Sequence, residues 1–146
     1  MKTAAGILKT KPHQTVHSTT PETSVYDAVK LMAEHDIGAL LVMVNGQVVG
    51  LISERDYARK IELLARSSRD TPVREITSAP VLCVRPDRSS EECMALMTEN
   101  RVRHLPVMDG DRLLGVISIG DLVKDIISEQ QFVIHQLELY ITGTRE

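Results

Sequence analysis

The chain has 146 residues, 42% hydrophobic and 25% charged, with a formal net charge of −3. That length buries a sound core without disulfide staples, and the acidic balance, with one Phe, three Tyr and no Trp, excludes a general attraction to nucleic acid. The longest apolar run, 37–44, is too short to cross a bilayer and the opening stretch too short for a signal peptide, so no membrane association and a cytoplasmic location are expected.

In chain order, residues 3–10 fit a short helix with Ala4, Ile7 and Leu8 on one side, ended by Pro12. Val16-His17-Ser18 reads as a short strand. A turn over 20–23 supplies a cap, after which Val25, Ala28, Val29 and Met32 recur at helical spacing up to about His35. A strand over 40–44, the hairpin signal Asn45-Gly46 and a return strand over 48–52 follow. Ser53 opens a helix with Tyr57, Ile61 and Leu64 on its inner stripe, and the polar run 66–70 ends it.

The same order then returns: a strand at 81–84, a helix from Ser89 to about Asn100, strands at 104–108 and 112–117 around Asp109-Gly110-Asp111, and a helix from Ile119. This last helix runs on, because Ile126, Val133, Leu137, Tyr140 and Ile141 keep one face apolar until Gly143. Such a stripe needs cover. A dimer contact is expected, with packing back onto its own chain as the alternative. Cys83 and Cys93 lie in apolar surroundings and are expected to be buried reduced thiols.

The return is a duplication. Gly50-Leu51-Ile52-Ser53-Glu54-Arg55-Asp56 reappears as Gly115-Val116-Ile117-Ser118-Ile119-Gly120-Asp121, an offset of 121 − 56 = 65 that also relates Pro21 to Pro86, Ser24 to Ser89, Met32 to Met97 and Val42 to Val107. Each copy carries a strand that runs into Ser-x-x-Asp at a helix start. There the pair can close a capping box, Ser on a backbone amide and Asp on another. It can equally hold a ligand, with amides and hydroxyl on a phosphate and the carboxylate on ribose hydroxyls. The copies differ where Arg103-His104 replaces Gly38-Ala39, and an Arg can meet a phosphate with two parallel bonds.

These two Gly-x-x-Ser-x-x-Asp stretches, their hairpins and Arg103-His104-Leu105-Pro106-Val107 resemble a tandem pair of cystathionine-β-synthase (CBS) domains, the arrangement called a Bateman module. The resemblance implies an α+β fold of two β-α-β-β-α repeats related by a pseudo-twofold, with sheets face to face, helices outside and two clefts between the repeats. The implied division is a lead-in over 1–15, a first repeat over 16–66, a linker over 67–79, a second repeat over 80–127 and a helical extension over 128–146. It also implies a regulatory module that binds an adenine nucleotide (AMP, ADP, ATP or NAD), forms a homodimer and acts on an effector protein that this sequence does not carry. The alternative is a ligand-free dimerisation scaffold.

On that reading Ser118, Arg103, His104, Ser53, Arg55 and Lys11 are phosphate candidates, Lys11 being more simply a solvated lysine. Asp121 and Asp56 are ribose candidates, and Val16, His17, Val81 and Cys83 lie where a base would rest. The second copy is the better equipped. His13 and His17 flank a strand entry rather than share a helix face, so no metal site is expected. No required cofactor is foreseen, and without a Gly-x-Ser-x-Gly elbow, a phosphate-binding Lys loop or a His-Glu pair the chain reads as a non-enzyme.

Overall fold

The computed structural model describes residues 2–11, 16–77 and 81–143. They form two bodies, one from Thr15–Leu82 and the other from Met1–Gln14 with Cys83–Glu146. Each is a small sheet flanked by helices, the α+β repeat expected.

The first body begins with β1 (Ser18–Thr19), α2 (Val25–His35), β2 (Ala39–Val44), β3 (Gln47–Ser53) and α3 (Glu54–Tyr57), following a lead-in helix α1 (Ala4–Thr10) that belongs to the other body. Ser24, rather than residue 20–23, caps α2: its hydroxyl accepts from the Asp27 amide at 3.1 Å. At the hairpin, Asn45 and Gly46 both take positive φ, 50° and 78°, the two left-handed residues that a twisted two-residue turn demands. Val25, Ala28, Met32, Leu40, Val42, Ile52 and Ile61 close the core.

Leu64 is not on the inner stripe; it is 64% exposed. The cause is a π turn over Ala58–Glu62, where the Leu63 amide donates to the Ala58 carbonyl five residues back, so the stripe rotates away after Ile61.

The second body repeats the plan with α4 (Ser90–Asn100), β4 (His104–Asp109), β5 (Arg112–Ser118) and α5 (Ile119–Thr142). Even the irregularities repeat, since a register shift falls between Val42 and Met43 and again between Val107 and Met108. Ala28, Met32, Leu40, Val42 and Ile52 have buried counterparts in Cys93, Met97, Leu105, Val107 and Ile117.

The opening strands fall short of expectation. Val16 and His17 precede β1, whose two residues pair in parallel with Leu41 and Val42. Residues 81–84 form only a single bridge, Val84 to Val107. Pro106 explains the difference: in the first body the Leu41 amide donates to the His17 carbonyl, and its counterpart Pro106 has no N–H to give. Cys83 is also exposed, while Cys93 is buried as expected; a segment with one bridge cannot seal its side chains.

The lead-ins cross over. Helix α1 packs on α4, β5 and α5 of the second body, whereas the 3-10 turn Val73–Glu75 completes the core of the first through Val73 and Ile76. Thr3 bridges Ser89 as Pro72 bridges Ser24; the Ala5 amide donates to the Pro86 carbonyl as the Arg74 amide donates to that of Pro21. Ala4 and Val73, and Ile7 and Ile76, are buried alike. The lead-ins therefore match at 72 − 3 = 69, four more than the repeats themselves.

Candidate functional site

Both Ser-x-x-Asp pairs close capping boxes. Asp56 Oδ2 accepts from the Ser53 amide at 2.9 Å and from the Ser53 hydroxyl at 3.0 Å, and the Ser53 hydroxyl accepts from the Asp56 amide at 3.2 Å. Asp121 Oδ2 accepts from the Ser118 amide at 2.8 Å, and the Ser118 hydroxyl accepts from the Asp121 amide at 3.2 Å. Each carboxylate also faces an ammonium. Lys60, one turn along the helix, lies 3.2 Å from Asp56 Oδ1, and Lys11, at the C-cap of α1, lies 3.0 Å from Asp121 Oδ2.

Two consequences separate the sites. Asp56 has both oxygens engaged, whereas the Ser118 amide and Lys11 both meet Asp121 at Oδ2, and Oδ1 carries neither of these bonds. Lys11 is also no free surface lysine: it donates to the Val116 carbonyl at 2.8 Å.

Strand register brings the basic residues alongside. His104 pairs with Ser118 across β4 and β5, and the Ile119 amide donates to the Arg103 carbonyl at 2.8 Å; in the first body Ala39 pairs with Ser53, and the Glu54 amide donates to Gly38. Burial and the neighbouring Lys11 hold the half-buried His104 below its ordinary 6.5, Asp121 pulls the other way, and Arg103 adds to the lowering. At Asp121, burial would raise the carboxyl, but the Ser118 amide and Lys11 outweigh it and keep it below 3.8. Ser118, Asp121, His104, Arg103 and Lys11 thus form one electrostatic cluster within the second body.

A cavity of about 200 Å³ opens beside it, lined by Lys2, Thr10, Lys11, Asp121, Lys124 and Asp125 among others. Asp125 is buried and faces Lys2 at 3.8 Å. It stands where Lys60 stands in the first repeat, a reversal of charge that the sequence reading passed over although Lys60 and Asp125 lie one turn after the two aspartates. Arg55 and Arg103 are exposed, Val16 and Val81 partly covered. His17 stacks on His35 at 3.8 Å between ring centroids, and burial and then His35 lower its pKa. His13 lies outside the described residues; among those described, no three metal-binding side chains gather, and no helix is long and apolar enough to cross a membrane.

Comparison with known proteins gives consistent matches. The CBS domain family model matches residues 8–63 and 73–128. The mitochondrial CBS domain-containing protein CBSX3 of Arabidopsis thaliana is 40% identical over 129 residues, 85% of this chain and 63% of that protein, so the chain spans less than two thirds of that relative. A solved CBS-domain structure from Burkholderia ambifaria, described as a candidate signal-transduction protein, is 56% identical with a TM-score of 0.85 over 88% of this chain and 96% of that one. A hexameric CBS-CP12 protein from bloom-forming cyanobacteria is 30% identical with a TM-score of 0.75, covering 84% of this chain and 70% of that one.

Proposed function

The chain belongs to the CBS-domain family as a tandem pair, and from that premise we propose that it is a regulatory module binding an adenine nucleotide through its second repeat. One observation carries this reading: Asp121 is a largely buried carboxylate, kept ionised, whose bonds to the Ser118 amide and to Lys11 both fall on Oδ2, with a cationic flank of Lys11, Arg103 and His104. In this reading Oδ1 accepts a ribose hydroxyl. The Ser118 hydroxyl and the positive end of a 24-residue helix favour a phosphate. The first repeat, with both oxygens of Asp56 engaged and Gly38-Ala39 in place of the basic pair, is the weaker site. AMP, ADP, ATP and NAD all carry the ribose and phosphate that this arrangement suits.

A module that follows cellular nucleotide levels needs a dissociation constant of about ten micromolar to one millimolar, roughly −4 to −7 kcal/mol. A few charge-assisted bonds at about 1.5 to 3 kcal/mol each provide that after ordering costs. Titration calorimetry with the four nucleotides tests the reading, using Asp121→Asn, whose amide oxygen can still accept from the Ser118 amide. Affinity should fall about tenfold or more with the fold retained. Unchanged affinity in that variant overturns the ribose role of Asp121.

The output is read here as assembly. Beyond Lys124, α5 exposes Ile127, Val133, Ile134, Leu137, Tyr140 and Ile141, and a second copy of the chain is the covering partner in this reading. A scaffold without ligand would use the same stripe.

A further inference from the structure

The cation on Asp121 comes from the wrong place to be a simple copy of its counterpart. In the first repeat Lys60 reaches Asp56 from one turn along the same stretch of helix. In the second repeat that position is Asp125, and the ammonium is delivered instead by α1, a separate element held to the body by its own contacts: the Ala4 and Ala5 amides on the Arg88 and Pro86 carbonyls at 2.8 and 3.0 Å, and Leu8 against Gly115. Lys11 ends that helix.

We propose that Lys11 is a tethered occupant of Asp121, so that a ligand bearing two vicinal hydroxyls must displace its ammonium and thereby move the end of α1. The proposal rests on the reading that Asp121 accepts a ribose. An ionised carboxylate offers about four lone-pair positions, two per oxygen. Oδ2 already accepts from the Ser118 amide at 2.8 Å and from Lys11 at 3.0 Å, which fills it. A vicinal diol gripped with one hydroxyl on each oxygen needs a position on Oδ2, and that requires Lys11 to leave. It has somewhere to go, because Lys11 lines the 200 Å³ cavity next to Asp121. Leaving also breaks its 2.8 Å bond to the Val116 carbonyl, which loosens the junction of α1 with β5. The first repeat has no such coupling, since Lys60 shares a helix with the aspartate it meets.

Lys11→Met keeps the length of the side chain and removes its charge. Adenosine, which has the diol and no phosphate, should bind this variant about threefold to tenfold more tightly than the wild type, the scale of one partly exposed ion pair. AMP should gain less than adenosine, because the displaced ammonium no longer meets its phosphate. Adenosine affinity that is unchanged or weaker in Lys11→Met, while Asp121→Asn still weakens AMP binding, overturns the proposal and spares the ribose reading. AMP binding that Asp121→Asn leaves untouched overturns the ribose reading itself, and the proposal with it; so does the absence of any binding of either compound. Carbon NMR titration of Asp121 checks the contact without ligand: its pKa should rise in Lys11→Met, and an unshifted titration overturns the occupancy of Asp121 by Lys11.

Discussion

Among the described residues, four helices begin at Ser followed three residues later by an acid: Ser24 with Asp27, Ser53 with Asp56, Ser89 with Glu92 and Ser118 with Asp121. In all four the hydroxyl caps the helix, so the spacing by itself does not separate a ligand site from a helix start. What separates them is the company each acid keeps. Glu92 is exposed and spends its charge on Arg88 at 2.7 Å, whereas Asp121 is largely buried and reached by a lysine from another element. The serines and aspartates were legible in the sequence because their spacing is local; the partnership of Lys11 was not, because it depends on where a helix more than a hundred residues away comes to rest. His104 offers a test at this scale. Its pKa is lowered in the folded state, so the unfolded chain takes up the proton first as pH falls through about 6.5, and folding stability should decline from there into acid. His17 contributes in the same direction. Urea unfolding between about pH 7 and pH 5 should show a shallower decline in His104→Gln than in the wild type.

At the level of elements, the helices and hairpins followed from periodicity and turn chemistry, and the misplaced stretches each have a covalent or geometric cause. Pro106 withholds the amide that would have extended the 81–84 segment into a strand, and the π turn after Tyr57 rotates Leu64 off the core. The closeness of α1 to β5 gives a further expectation. A Cβ built on Gly115 would stand 2.8 Å from Leu8 Cδ2, while the counterpart Gly50 would meet Thr77 Cβ at 3.2 Å. Gly115→Ala should therefore cost about 1 to 3 kcal/mol by pushing Leu8 away. Combining it with Leu8→Ala should cost less than the two changes added, and a double-mutant cycle by chemical unfolding reads that coupling directly.

At the scale of the whole molecule, the duplication was visible because 65 residues separate the copies without a gap, but the exchange of lead-ins was not. Ala4 with Val73 and Ile7 with Ile76 are too few matches to align the lead-ins, and their spacing of 69 is out of step with the repeat. Assembly is the other property that belongs to this scale. Leu137, 55% exposed midway along the outer stretch of α5, lies 137 − 121 = 16 residues along the same helix from Asp121. Leu137→Asp should convert the proposed homodimer to a monomer in light scattering while leaving the affinity for the proposed nucleotide within about twofold. A wild-type protein that is already monomeric at the same concentration removes the dimer reading.

The exchanged lead-ins also decide what a tether would feel. A load applied at residue 2 enters α1 and, through it, the body that resumes some seventy residues later. A probe or neighbouring protein attached at that end would be hitched to the second repeat, and would report its comings and goings.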